Sequence, residues 1–303
     1  MSITGNISDI KRYAINDGPG IRLTIFFKGC PLSCAWCHNP ETHSPQSELM
    51  YIFKRCIRCG ECVKACPQKA LTLVNHRIVR DPELCNLCGI CTEVCPTLAL
   101  EMVGEQMTPD QLMARIEQDR IFFDESGGGV TFSGGEPLMQ PEFLLEMLQR
   151  CKAAGIHTVV DTSGCGKIED LLKIAPLTDL FLFDIKLATP EKHLKWTGAK
   201  MEEIHSNLRQ LAASGAKIIF RMPMINGINC DQENIEKSAE LIAALPGGNL
   251  VIELLPYHDI AQKKYEQLNR EYAHADLFSA PTPRELSAAV LIFAKHGVDA
   301  QVQ

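Results

Sequence analysis

The sequence predicts an α/β fold: an open, partial barrel of six β/α units, interrupted by a small insertion built around metal. Three observations point there. Short segments rich in β-branched and aromatic residues alternate with amphipathic helical ones, the pattern of a parallel sheet with crossover helices. Two four-cysteine runs repeat at a distance of 29 residues in the first third of the chain. Unusual polar residues fall at or just after the ends of successive strands. A doubly wound sheet is the alternative.

The strands are expected at 22–27, 129–133, 157–162, 179–186, 216–222 and 249–255. Helices are expected at 109–120, 141–154, 168–174, 201–214, 232–245 and 283–295. Pro109, Pro141 and Pro283 suit first-turn positions, and Gly155, Gly215 and Gly297 suit C-terminal caps. Six such units imply right-handed crossovers, and they are too few to close an eight-stranded barrel.

At 303 residues the chain has room for two domains, and 46% hydrophobic content is ample for a core. A net charge of -7 argues against a nucleic-acid partner, which needs a basic face. Residues 1–14 contain no apolar signal region, and no stretch approaches the ~20 apolar residues of a membrane span. Fourteen cysteines in that context point to metal in a reducing cytoplasm, not to disulfides. A monomer is expected.

The repeat comprises Cys56, Cys59, Cys62 and Cys66-Pro67, then Cys85, Cys88, Cys91 and Cys95-Pro96. Each run has the C-x2-C-x2-C-x3-C-P spacing of bacterial two-cluster ferredoxins, in which the fourth cysteine serves the neighbouring cluster. Cys56, Cys59, Cys62 and Cys95 are therefore expected at one [4Fe-4S] cluster, and Cys85, Cys88, Cys91 and Cys66 at another. Segments 71–74 and 77–79 read as short strands. The ferredoxin-like insertion is placed at 48–103, leaving 1–47 and 104–303 to the barrel. So compact a unit has little apolar surface, and metal must supply much of its folding energy.

Cys30, Cys34 and Cys37 form a third set, spaced C-x3-C-x2-C. Three thiolates hold three irons of a four-iron cube and leave the fourth open to a substrate. A zinc site with a distant fourth ligand is the bland reading. The later strand ends carry Ser133-Gly134-Gly135-Glu136, Asp161-Thr162, Asp184-Ile185-Lys186, Arg221 and Tyr257-His258. In parallel β/α barrels the active site is built at that rim. Taken singly, the glycines could be turns, the aspartates helix caps, Lys186 and Arg221 rim charges, and His258 a surface histidine. Cys151, Cys165 and Cys230 lack partner spacing and read as small buried hydrophobes.

The three-cysteine motif resembles the signature of the radical S-adenosylmethionine superfamily. With Asp17-Gly18-Pro19-Gly20-Ile21-Arg22 and Leu254-Leu255-Pro256-Tyr257-His258, the chain resembles the glycyl radical enzyme activating enzymes. That resemblance implies an oxidoreductase on a partial (β/α)6 barrel. It implies that Cys30, Cys34 and Cys37 hold the cluster that binds S-adenosylmethionine. Trp36 and His38 would lie near the adenine, and Gly135 would bond the methionine amino group, with Glu136 supporting the loop. Asp184, Ile185 and Lys186 would lie near the methionine carboxylate, with His258 and Arg221 lining the pocket. Asp161, Thr162 and Asp184 match monovalent-cation positions, and Asp17 would face an incoming glycine loop. The implied partners are a large glycyl radical enzyme and a reduced flavodoxin or ferredoxin. The insertion shifts the expected partner toward dehydratases, decarboxylases and C–N, C–C or C–S lyases. The rivals are a plain iron–sulfur electron carrier and a radical enzyme that modifies another peptide residue.

Overall fold

The computed structural model describes residues 3–248 and 250–303. Met1 and Ser2 of the N-terminal stretch, and Asn249 at the start of the sixth expected strand, lie outside the described residues. In chain order the strands begin with β1 (Gly5–Ala14), β2 (Arg22–Phe27), β3 (Glu48–Tyr51), β4 (Leu71–Val74), β5 (Arg77–Arg80), β6 (Leu100–Val103) and β7 (Glu105–Met107). They continue as β8 (Gly129–Gly134), β9 (His157–Thr162), β10 (Leu180–Asp184), β11 (Ile218–Met224), β12 (Val251–Pro256) and β13 (Asp299–Val302). The helices are α1 (Glu61–Ala65), α2 (Ile90–Glu93), α3 (Pro109–Glu117), α4 (Arg120–Ser126), α5 (Pro141–Ala153) and α6 (Ile168–Ile174). They are followed by α7 (Pro190–Thr197), α8 (Met201–Ala213), α9 (Gln232–Ala243), α10 (Ala261–Gln267) and α11 (Pro283–Lys295).

The main sheet runs β13-β12-β11-β10-β9-β8-β2-β1-β7. From β2 to β13 every pairing is parallel and the strands follow in sequence order. A doubly wound sheet would reverse its strand order at a switch point; this one does not, so its crossovers all wind the same way, as in an open barrel. Six strands were expected at this sheet, and three more join it. β13 is only four residues, Asp-Ala-Gln-Val, too short and polar to stand out in the sequence. β1 and β7 lie antiparallel at the other edge, and β1 exposes much of its central stretch.

The core is a single cluster that joins the strands to the helices packed on them, including Phe27, Phe132, Phe181, Phe183, Leu144 and Leu208. Each such side chain stabilises the fold by about 1.5–3 kcal/mol when fully buried. Helix starts follow local chemistry. Thr108 and Thr282 form capping boxes with Gln111 and Glu285, with Pro109 and Pro283 in the first turn. Gly155, Gly215 and Gly297 follow helix ends at φ of 66°, 80° and 75°, the left-handed geometry a cap requires.

β3 and β6 pair antiparallel, Glu48 opposite Val103 and Tyr51 opposite Leu100, as a stalk that carries residues 52–99 away from the sheet. Beyond the stalk lie α1, α2 and the β4–β5 hairpin. Their buried cluster contains only Leu49, Cys62, Leu71, Ile78 and Leu100.

Candidate functional site

The loop after β2 carries Cys30, Cys34 and Cys37, and the backbone fastens it at several points. Gly29 and Cys30 donate to the carbonyls of Thr42 and His43, at 2.7 and 3.1 Å. Ser33 and Ala35 donate to Thr197 and Trp196 at the end of α7, at 2.8 and 2.9 Å. Leu32 and Trp36 bury their side chains with Leu187, Ile225, Ile228, Tyr257 and Phe278. All three thiols are free and face inward. Burial pushes all three up, Cys37 to about 12, so as bare thiols they would stay protonated; iron is what makes thiolates here.

Around this loop the strand ends supply charge and hydrogen bonds. Lys186 donates to Asp184 Oδ2 at 2.7 Å. Burial works against its ammonium, but Asp184 and the nearby Cys34 outweigh it and raise Lys186. His38 stacks on the His258 ring at 4.1 Å, and its Nε2 is buried without a partner. Burial and His258 lower His38 to about 4, so the ring is neutral near pH 7. The unpartnered imidazole nitrogen and the three thiols of the same loop form a donor set that suits an iron–sulfur cluster and a polar organic molecule.

The Gly-Gly-Glu loop is tied to the cysteine loop through its backbone. The N–H groups of Gly135 and Glu136 donate to Phe27 O and Gly29 O, at 2.9 and 2.8 Å, so they are not free for a ligand. What Gly135 offers is a carbonyl. A Cβ at Gly135 would lie 2.3 Å from Gly29 O, so glycine is what lets this loop lie against the cysteine loop. Glu136 is fully buried and accepts from Thr162 Oγ1, Ser163 N, Ser163 Oγ and Leu138 N at 2.6 to 3.2 Å. Burial raises Glu136, and those donors oppose the rise.

Three further site residues are partly committed elsewhere. Arg221 lies in the middle of β11, and its guanidinium is taken up by neighbouring groups. It donates to Glu253 Oε2 at 2.9 Å and to Asn16 O, and it pairs with Asp161 and Asp17 at 3.7 and 3.8 Å. Buried cations must be neutralised, and these three carboxylates do it. Ile185 turns its side chain into the main core and donates its N–H to Arg221 O, so only its carbonyl is available. Trp36 is 4% exposed within the apolar cluster, which leaves mainly its backbone for contact with a ligand.

Asp161 accepts from Ser133 Oγ at 2.7 Å. Burial lifts it to about 7; Arg221 opposes the rise and Asp184 adds to it. Asp161 and Asp184 thus share the site, whereas the Thr162 hydroxyl is turned to Glu136. Of the spare cysteines, Cys151 is buried, but Cys165 and Cys230 are only half-buried, and Cys165 packs against the cysteine loop's apolar cluster.

Sequence reasoning missed a second network beneath the loop. Lys28 is fully buried and donates to Glu41 O and Glu48 Oε2 at 2.6 and 3.0 Å. Arg270 donates to the other Glu48 oxygen and to Pro40 O, while Lys264 reaches Glu41 and Asn39. The one signal was a lysine directly after an apolar strand.

In the insertion the structure gathers the cysteines into two hollows. One is lined by Cys56, Cys59, Cys62 and Cys95 with Tyr51 and Ile78. The other is lined by Cys85, Cys88, Cys91 and Cys66 with Leu49 and Met102. The backbone repeats with the sequence. Arg58 and Leu87, Gly60 and Gly89, and Lys69 and Leu98 are all left-handed at matching positions. Ala70 and Ala99 likewise donate to Cys66 Sγ and Cys95 Sγ, at 3.3 and 3.2 Å. Non-glycine residues held left-handed cost roughly 1–3 kcal/mol each, so something in the hollows must repay that strain.

Comparison with known proteins bears on this arrangement. The model of a 4Fe-4S single cluster domain family matches residues 16–205. The trans-4-hydroxy-L-proline dehydratase activating enzyme of Clostridioides difficile is 40% identical over 288 residues, covering 95% of both chains. The choline trimethylamine-lyase activating enzyme of Oleidesulfovibrio alaskensis is 40% identical over 272 residues, covering 88% of this chain and 87% of that one. A solved domain of a pyruvate-formate lyase-activating enzyme from Bacteroides vulgatus is 34% identical. It superposes with a TM-score of 0.51 over 58% of this chain and 99% of that one.

Proposed function

This chain belongs to the glycyl radical enzyme activating enzymes, and from that premise we propose how its own residues carry the activity. When bound at Cys30, Cys34 and Cys37, an iron–sulfur cluster supplies an electron to S-adenosylmethionine, which yields methionine and a 5′-deoxyadenosyl radical that takes a hydrogen from a glycine of the partner. The chain's part is to hold, orient and keep water out. Lys186, aligned by Asp184, faces the methionine carboxylate, and the Gly135 carbonyl accepts from the amino group. Glu136 braces that loop through its four hydrogen bonds. The neutral His38 ring, stacked on His258, is offered to the nucleoside side. Burial, with a smaller push from Asp184, lifts Asp161, and a monovalent cation between the two carboxylates would offset both. Arg221 positions Asp17, Asp161 and Glu253 and does not touch the cofactor.

Residues 48–103 form the inserted unit, with two four-iron clusters on the cysteine sets named above, and 1–47 with 104–303 form the barrel. The unit relays electrons from a reduced flavodoxin or ferredoxin. The partner is a glycyl radical enzyme of the dehydratase, decarboxylase or C–N, C–C or C–S lyase kind, in keeping with the relatives' names. The protein acts as a monomer in a reducing cytoplasm; no helix among the described residues is long and apolar enough to cross a membrane.

One observation carries the reading: three free thiols pack against one apolar cluster, on the same loop as His38, whose buried Nε2 has no partner. The anaerobically reduced protein should convert S-adenosylmethionine to 5′-deoxyadenosine and, with its partner, produce a glycyl doublet by electron paramagnetic resonance. Iron-loaded protein that makes neither product would refute the proposal.

A further inference from the structure

The two halves of the insertion share one backbone pattern but carry opposite charge. Residues 48–80 contain seven Lys and Arg against two Glu. Residues 81–103 contain four Asp and Glu and no basic residue. At positions the 29-residue repeat makes equivalent, Lys54 stands against Glu83 and Lys64 against Glu93. All four are exposed. A repeated fold that needed only to hold its clusters would have no reason to invert the sign of solvent-facing positions. Charge at such positions governs association far more than stability.

The basic half has a built centre. Phe53 is 36% exposed, with the Arg77 and Arg58 guanidinium carbons 4.5 and 6.0 Å from its ring centroid. Its other neighbour is Tyr51, edge-on at 6.3 Å, and Tyr51 lines the Cys56 hollow. Ile57 beside it is 62% exposed and Cys59 is exposed too. Among the described residues Lys54, Arg58 and Arg77 have no ion-pair partner, whereas Arg55 pairs with Glu101. An apolar centre ringed by unpaired cations, one aromatic ring away from a thiol-lined hollow, suits a partner that brings negative charge and an electron.

We propose that the face around Phe53, bordered by Lys54, Arg58 and Arg77, docks an acidic one-electron carrier protein, and that electrons enter through the Cys56, Cys59, Cys62 and Cys95 cluster. This rests on reading the insertion as a cluster carrier. The step is a simple transfer. A flavin hydroquinone anion on the donor loses one electron and becomes the neutral semiquinone. The cluster gains that electron; no bond forms and no proton moves. The Cys85 half, acidic at matching positions, repels the same donor and directs it to the other end.

The test uses iron-loaded full-length protein and photoreduced bacterial flavodoxin, an acidic carrier, as the probe. Binding is measured by titration calorimetry at low and high salt, and flavin oxidation by stopped flow. Lys54→Glu with Arg77→Glu should weaken binding about tenfold at low ionic strength, and the difference should shrink in high salt as charge is screened. Glu83→Lys with Glu93→Lys should leave binding unchanged or tighten it. Reduction by a small photochemical donor should drive S-adenosylmethionine cleavage equally in all forms, which shows that the radical site is intact. Unchanged flavodoxin affinity in the first variant would overturn the proposal, as would loss of affinity for the glycyl radical enzyme alone. Iron content short of the two insertion clusters in the unaltered protein would instead overturn the cluster reading and this inference with it.

Discussion

The rim loop and the insertion both present cysteines spaced for iron, yet they hold them in opposite ways. The rim loop borrows its rigidity from the barrel. Cys34 is 9% exposed, and its neighbours come from α7, the ends of β10, β11 and β12, and Phe278. The insertion has few such supports. Cys59 and Cys88 are exposed, five residues make its buried cluster, and six non-glycine residues sit in left-handed backbone. A site that must bind a substrate is shaped before metal arrives. A site that passes electrons can let the metal do the shaping.

Metal removal should therefore separate the two regions most sharply. Chelation of the iron-free protein's residual metal should leave the barrel folded while protease cuts fall within 52–99; limited proteolysis with mass mapping reads this directly. Equal protection of both regions would break the contrast.

Next in size is the division of labour among cysteines. Cys34→Ala should abolish 5′-deoxyadenosine formation while the insertion keeps its iron. Cys59→Ala should lose insertion iron yet leave a response to S-adenosylmethionine at the rim cluster. Iron counts and product chromatography on both variants check the pair.

Asp184→Ala should weaken S-adenosylmethionine binding by about tenfold, since it leaves the buried Lys186 ammonium without its partner. An unchanged dissociation constant would remove Asp184 from the site.

A smaller effect concerns the barrel alone. Burial lowers His205 to about 4, with His193 and Arg209 adding to it, against about 6.5 unfolded. A depressed pKa contributes stability above pH 6.5 that is lost as pH falls toward 4. Melting temperature should drop across that window, and less so in His205→Gln. Equal acid sensitivity of the two forms would exclude His205 as the source.

The smallest expected effect is none. Cys165 packs near the rim cysteines but lies outside their loop. Cys165→Ala should keep rim-cluster iron and cleavage; loss of either would mean that it caps the fourth iron.

The parts of the fold legible in the sequence were those whose signal is local. Strands such as 129–134 and 157–162 carry β-branched and aromatic residues and are largely buried, so they read plainly. The edge strands β7 and β13 did not, because they are short and polar and look like loop, and neither did β1, whose central stretch is exposed. The cysteine sets were legible because metal ligation fixes spacing. The charge networks were not. Lys28 with Glu48 and Arg270, and Arg221 with Glu253, join residues 20 to 222 positions apart, and nothing in the sequence pairs them. Arg221 was expected to line the cofactor pocket because the family resemblance implied it. It pairs with three carboxylates, from β9, from β12 and from the loop after β1.

The central claim is that the Cys30, Cys34 and Cys37 cluster keeps one iron for its substrate. Electron–nuclear double resonance on the reduced protein, with S-adenosylmethionine labelled with carbon-13 at the carboxylate, tests it most directly. The account predicts a carbon-13 coupling that Cys34→Ala abolishes and Cys59→Ala leaves in place. A rim-cluster spectrum that shows no coupling and does not shift when the labelled compound is added would contradict it.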